Sequence, residues 1–155
     1  MTSSAPASAF SPRLFARRAR TADESMRYKP LGGTGLEVSA LGFGAATLGD
    51  EYGVLDSAEG RRAVHQAIDH GINLFDVSPY YGRGVAEERL GAYLQGKRQD
   101  VVLCTKVGRD DRDPRHGFGF SARRVAASVD QSLARLRTDV IDIFLAHDIE
   151  FAPLE

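Results

Sequence analysis

A parallel β-sheet covered by helices, an α/β fold, is what this sequence predicts, on three observations. Short apolar runs alternate with amphipathic helical stretches in the order β-α-β-α-β-α-β. Each connection is long enough for the helical crossover that parallel neighbours need. Three runs in succession end on a polar residue able to do chemistry: Asp76, Lys106 and His147. The chain has 155 residues, a net charge of -1 and 43% hydrophobic content, which suits one globular domain with a sizeable core. Neither sign of charge dominates, which argues against nucleic acid or an acidic membrane as partner. No apolar run approaches the ~20 residues a membrane helix needs. Cys104 is the single cysteine and lies in the apolar run VVLCT. It is expected to be a buried, inert thiol in a reducing cytoplasm.

Residues 1–25 differ from the rest in being rich in Ser and Ala, with Arg13, Arg17, Arg18 and Arg20 and no acid before Asp23. No apolar centre follows these charges, so a secretory signal is not expected. The composition resembles an organelle transit peptide, and equally fits a disordered leader or an upstream start ahead of Met26. A disordered, non-catalytic tail is the expectation adopted. From Met26 the texture changes, and two short strands (about Tyr28–Lys29 and Glu37–Val38) flank a Gly-rich turn as a hairpin. A strand at Ala40–Phe43 follows. GFGAAT after it has the spacing of a shortened dinucleotide fingerprint, but the third Gly is absent and no helix is expected directly after it, so a Rossmann fold is rejected.

Ser57–His70 reads as a helix capped by Ser57 and ended by Gly71, with Ala63, Val64, Ala67 and Ile68 as its apolar stripe. The strand Asn73–Val77 runs into a turn of Tyr and Gly, and a second helix covers about Val85–Gln95. Val101–Thr105 is an apolar strand ending at Lys106, and Gly108–Phe120 a long polar loop. A third helix at Ser121–Leu136 is expected to bury Val125, Val129, Leu133 and Leu136. The last strand, Val140–Ala146, ends at His147; Asp142, inside it, is read as structural.

In a parallel sheet or barrel the strand ends lie on one rim, so Asp76, Lys106 and His147 can meet, with Tyr81 just beyond the first. Singly, each has a plain structural explanation: a turn-capping acid, loop tyrosines, a solvated lysine, a satisfied surface histidine. Together they suit proton transfer. An ammonium beside a phenol favours the phenolate, a carboxylate holds the ammonium charged, and an imidazole can share a substrate oxygen's proton. Interconverting a carbonyl and an alcohol also needs hydride, which none of these side chains supplies. A nicotinamide cofactor, NAD(P)(H), is therefore implied.

Four stretches, LGGTGLEVSALGFGAATLG, INLFDVSPYYGRGVAEERLG, VVLCTKVG and LRTDVIDIFLAHD, closely resemble the aldo-keto reductases, TIM-barrel oxidoreductases that use NAD(P)(H). The match runs from about Tyr28 to Asp148. The resemblance implies a catalytic tetrad of Asp76, Tyr81 as proton donor, Lys106 and His147. It also implies cofactor contacts from Gly44, Ala45 and Asp76. A finer likeness, in GRDDRDPRHGFGFSARRV and AHDIEF, is to the L-galactose and L-fucose dehydrogenase branch, which oxidises the anomeric carbon of a free sugar to a lactone. In that branch the loop Gly108–Phe120 would line the sugar site through His116 and Phe118, beside His147. The expected partner is a sugar or aldehyde.

A barrel of this kind needs eight βα units and roughly 250 residues. The expectation is accordingly the first four βα units, half of a TIM (β/α)8 barrel, behind an N-terminal β-hairpin: residues 26–155, with 1–25 as leader. Loops late in the family's barrel bind the cofactor's phosphates and adenosine, so little catalysis is expected from this chain alone. Open sheet edges would favour self-association or a missing C-terminal half. A non-catalytic binding or regulatory protein on the same scaffold is the alternative.

Overall fold

The computed structural model describes residues 26–109 and 117–151. The leader and His116 lie outside the described residues. The chain enters through an antiparallel hairpin, β1 (Tyr28–Pro30) and β2 (Glu37–Ser39), in the register Tyr28 opposite Ser39. Gly32 and Gly35 take positive φ in its turn, where a Cβ would be strained. Asn73 staples the hairpin to the start of the main sheet. Its side chain accepts from the Ser39 amide at 2.7 Å and donates to the Glu37 carbonyl at 3.0 Å, and its own amide donates to Ser39 Oγ at 3.0 Å.

The main sheet is parallel, with strands in chain order: β3 (Gly42–Gly44), β4 (Leu74–Asp76), β5 (Val102–Val107) and β6 (Ile143–Ala146). Between them run α1 (Ser57–Asp69), α2 (Val85–Tyr93) and α3 (Ala122–Leu136). Register decides which side chains share a face. Gly44 lies opposite Asp76, Asp76 opposite Cys104, and Lys106 opposite Leu145. Side chains alternate along a strand, so these residues form one face, and Phe43, Phe75, Leu103 and Thr105 point the other way, towards the helices. There Val64, Ala67 and Ile68 of α1 and Ala86, Leu90 and Tyr93 of α2 join Phe75, Val77 and Leu103 in one buried cluster. Each such large apolar side chain contributes about 1.5–3 kcal/mol by leaving water.

Two polar ties lock the helices to the sheet. Glu87 of α2 is fully buried and accepts from Thr105 Oγ1 on β5 at 2.7 Å and from Arg135 Nε on α3 at 2.6 Å. Arg98 reaches the carbonyls of Val101 and Val140 and pairs with Asp142 at 2.7 Å, and Asp142 also accepts the Leu103 amide at 2.8 Å. Asp142 is structural, as read from the sequence, although it precedes β6 rather than lying within a strand. Gly91 lets α2 approach α3 closely, because a Cβ there would sit 2.6 Å from the Arg135 carbonyl oxygen.

Several boundaries differ from the sequence reading. The N-cap of α1 is Asp56, whose carboxylate accepts the Glu59 amide at 2.9 Å. Ser57 opens the helix instead and bonds Tyr93 Oη at 3.1 Å. Both helices α1 and α2 stop short of the expected ends, at Asp69 and Tyr93. Lys106 lies within β5, which continues to Val107 because that residue packs at the helix side and is still buried. A 3-10 helix, Ala45–Gly49, does follow β3 directly, where none was expected. On α3 only Ser132 and Leu136 are fully buried. Val125, Val129 and Leu133 are half-buried, since no α-helix follows α3 among the described residues to cover their stripe. Among the described residues, no helix is long and apolar enough to cross a membrane.

Candidate active site

The four polar groups expected at the rim do come together. Lys106 projects from β5 towards β4, where its ammonium donates to Asp76 Oδ1 at 2.6 Å, to the Val77 carbonyl at 3.0 Å and to Tyr81 Oη at 3.2 Å. The same nitrogen lies 4.8 Å from the centre of the Tyr81 ring, a cation–π distance. Burial works against the charge on Lys106, but the hydrogen bonds to Asp76 and Tyr81 and the carboxylate's charge outweigh it and hold the ammonium above the usual lysine range. The amine is therefore a fixed positive charge aimed at a phenol oxygen.

His147 follows β6 and is buried at 8% exposure. Its ring stands edge-on to Tyr81 at 5.9 Å and to Tyr80 at 5.8 Å between centroids. Nδ1 lies 3.1 Å from Ser78 Oγ, and Nε2 lies 3.8 Å from Asp148 Oδ1. Burial pushes the imidazole below the usual histidine range. Asp148 and Asp76 oppose the shift, and Lys106 and Arg109 add to it. The folded state resists protonating His147, so its contribution to stability is present above the ordinary histidine pKa of about 6.5 and is lost as pH falls through the lowered value. Urea unfolding is expected at a lower midpoint at about pH 5 than at about pH 7.5, and His147→Gln should narrow that gap. An equal gap in the variant would remove His147 as the cause.

The position of Tyr81 rests on two backbones crossing at glycine. A Cβ on Gly49 would lie 2.7 Å from the Tyr81 carbonyl carbon, and one on Gly82 would overlap the Gly49 carbonyl oxygen. Gly82, Arg83 and Gly84 take positive φ in succession, and the Gly82 amide donates to Glu51 at 2.7 Å. The 3-10 turn after β3 thus holds the Tyr81 turn against the sheet end.

Arg109 closes one side of the rim. Its guanidinium lies 3.7 Å above the centre of the Tyr80 ring and 6.0 Å from that of Phe118, and pairs with Asp148. Phe118 bridges back to Arg109 in an isolated antiparallel pair, which brings its ring towards the same guanidinium that Tyr80 meets. Gly44 ends β3 facing open space, with nothing within 4 Å of where a Cβ would be. Ala45 is fully buried in the core and has no surface to offer a ligand. Cys104 is buried beside Asp76; burial first, then the Asp76 charge, pushes its thiol up to about 12, so it is inert at neutral pH. Ser78, Arg109 and Asp148 were not singled out from the sequence. Ser78 lies two residues past the strand-ending acid, and Asp148 directly follows His147. That adjacency was the available signal.

Parallel strands joined through helices, with their polar groups gathered at the C-terminal ends, define a protein built in the manner of TIM barrels. Comparison with known proteins then specifies it: the Aldo/keto reductase family matches residues 40–153, and the chain belongs to that family of oxidoreductases. It is 46% identical over 130 residues to an L-galactose dehydrogenase of Arabidopsis thaliana, which covers 82% of this chain and 40% of the relative. A D-threo-aldose 1-dehydrogenase of a Pseudomonas species is 36% identical over 137 residues, covering 75% of this chain and 42% of the relative. An aldo-keto reductase of Bacillus halodurans, solved in its holo form, superposes with a TM-score of 0.67 at 35% identity over 78% of this chain and 40% of that one. The chain thus spans less than half the length of these relatives.

Proposed function

We propose that these residues form the catalytic part of a nicotinamide-dependent aldo-keto reductase that oxidises the anomeric carbon of a free sugar such as L-galactose or L-fucose, or runs the reverse carbonyl reduction. The observation that carries the reading is the single ammonium of Lys106 donating to both Asp76 and Tyr81 Oη. That arrangement lets Tyr81 exchange a proton with a substrate oxygen while Asp76 keeps the lysine oriented and charged. In the oxidative direction Tyr81 takes the proton of the anomeric hydroxyl; in the reductive direction it returns one to the carbonyl oxygen. His147, neutral at physiological pH, holds that oxygen by hydrogen bonding rather than by charge. The rings of Tyr80 and Phe118, both near Arg109, would wall the side of the site where a sugar would lie.

A bound nicotinamide would supply the hydride acceptor or donor. The open surface above Gly44, next to the partly exposed Asp76 carboxylate, fits the reacting end of such a group, and these two residues would hold it. Ala45 takes no part. The resemblance assigns the phosphate and adenosine contacts to later barrel loops, so turnover by these residues alone is expected to be low. Sugar selection is supported by the two relatives that are dehydrogenases of L-galactose and of D-threo-aldoses.

Titration of the folded chain with NADH and with NADPH, followed by nicotinamide fluorescence alongside solution mass, tests this. Saturable binding is expected, tighter if a dimer or an added C-terminal half completes the site. A folded chain that leaves both fluorescence signals unchanged at millimolar cofactor would overturn the reading for these residues.

A further inference from the structure

Ser78 is fully buried, lies outside the Asp76–Tyr81–Lys106–His147 group, and yet touches it. Its hydroxyl oxygen has two neighbours at hydrogen-bonding distance: the Tyr80 amide, which donates to it at 3.1 Å, and His147 Nδ1 at 3.1 Å. A hydroxyl carries one hydrogen and accepts up to two. If His147 Nδ1 carried the ring proton and donated it to Ser78, the serine hydrogen would be buried with no acceptor among the described residues. An orphaned buried donor is destabilising. If Nδ1 is bare, it accepts that hydrogen and every group is satisfied. A second observation agrees: the Asp148 carboxylate lies 3.8 Å from the opposite nitrogen, where it favours an N–H.

We infer that Ser78 is a positioning residue that fixes His147 in the tautomer with the proton on Nε2, so that the ring presents an N–H donor, and not a lone pair, to the substrate oxygen beside Tyr81. This rests on the reading of His147 as the group that holds the substrate oxygen, but the tautomer itself is a property of the chain without ligand. The same geometry gives Ser78 a second task. By accepting the Tyr80 amide it sets the first residue of the turn that delivers Tyr81. One small side chain therefore aligns the histidine and the phenol together. Ser78→Ala keeps the volume nearly constant and removes only the hydroxyl.

The ring nitrogens of His147 report the outcome directly. In 15N-labelled protein at about pH 7.5, with the His147 signals assigned by their loss in His147→Gln, the wild type should show a pyridine-like Nδ1 and a pyrrole-like Nε2. Ser78→Ala should shift both signals towards each other as the second tautomer becomes populated, and Ser78→Thr should restore them. A pyrrole-like Nδ1 in the wild type overturns the inference, as does a Ser78→Ala spectrum identical to wild type. Neither result depends on cofactor binding. Failure here is therefore distinct from failure of the oxidoreductase reading, which shows as an absence of nicotinamide binding.

Discussion

Tyr81→Phe is expected to lower sugar-dependent nicotinamide turnover by about 10²–10⁴-fold, the range usual for losing a positioned acid–base group. The change removes one oxygen atom, the one that Lys106 reaches at 3.2 Å, and leaves the ring edge-on to His147 and beneath the lysine. Cofactor affinity should therefore hardly move, because Gly44 and Asp76 lie on the other strand ends and keep their neighbours. Lys106 retains its bonds to Asp76 and to the Val77 carbonyl, so the ammonium stays in place. The comparison is best made where turnover is measurable, with these residues completed by a C-terminal half. Full activity in the phenylalanine variant would remove Tyr81 from the chemistry, whatever the resemblance implies.

Arg135→Met is expected to destabilise the fold by about 3–5 kcal/mol, the usual cost of leaving a buried charge without its partner. Glu87 is fully buried, and Arg135 is its only cationic contact among the described residues, at 2.6 Å. Methionine keeps much of the apolar stem, so the loss reads the charge and not the packing. The stem matters as well, because the Arg135 side chain packs over Gly84 at the start of α2, where even a Cβ would come within 2.9 Å of it. Adding Glu87→Gln should recover most of the loss. The amide oxygen still accepts from Thr105, and no charge remains to be paired. Urea midpoints for the two single variants and the double variant decide the matter. An unchanged midpoint in Arg135→Met would mean that water reaches Glu87 readily.

The alternation of strand and helix was legible because apolar runs such as VVLC favour burial, and because Gly71, at positive φ, marks the end of the first helix. Strand ends on a shared rim follow from parallel pairing alone, which is why Asp76, Tyr81, Lys106 and His147 could be gathered from the sequence. The cap of α1 was misplaced by one residue because Asp56 and Ser57 are both good caps, and only the geometry chooses. The α3 stripe was read correctly as apolar and as buried at Leu136, but wrongly as buried at Val125, Val129 and Leu133. Periodicity marks the face that wants cover and says nothing about what covers it. Glu87 gave no sign of burial, since its partners Thr105 and Arg135 are far away in sequence and its neighbours in α2 look like a solvated helix. Ser78 was hidden for the same reason: its role is defined by the His147 ring just past β6.

Strand pairing in strict chain order has a kinetic meaning. After β3, each strand of the main sheet docks on the one synthesised just before it, so it finds its sheet partner already made. Average sequence separation between contacting residues stays low for a parallel sheet, which shortens the search for the native arrangement. During synthesis, the hairpin can seat on Asn73 and β4 can seat on β3 before Lys106 emerges from the ribosome. Asp76 and Tyr81 would then already be in place when the lysine arrives between them. The last group to join is His147, and with it the Ser78 hydroxyl gains its acceptor.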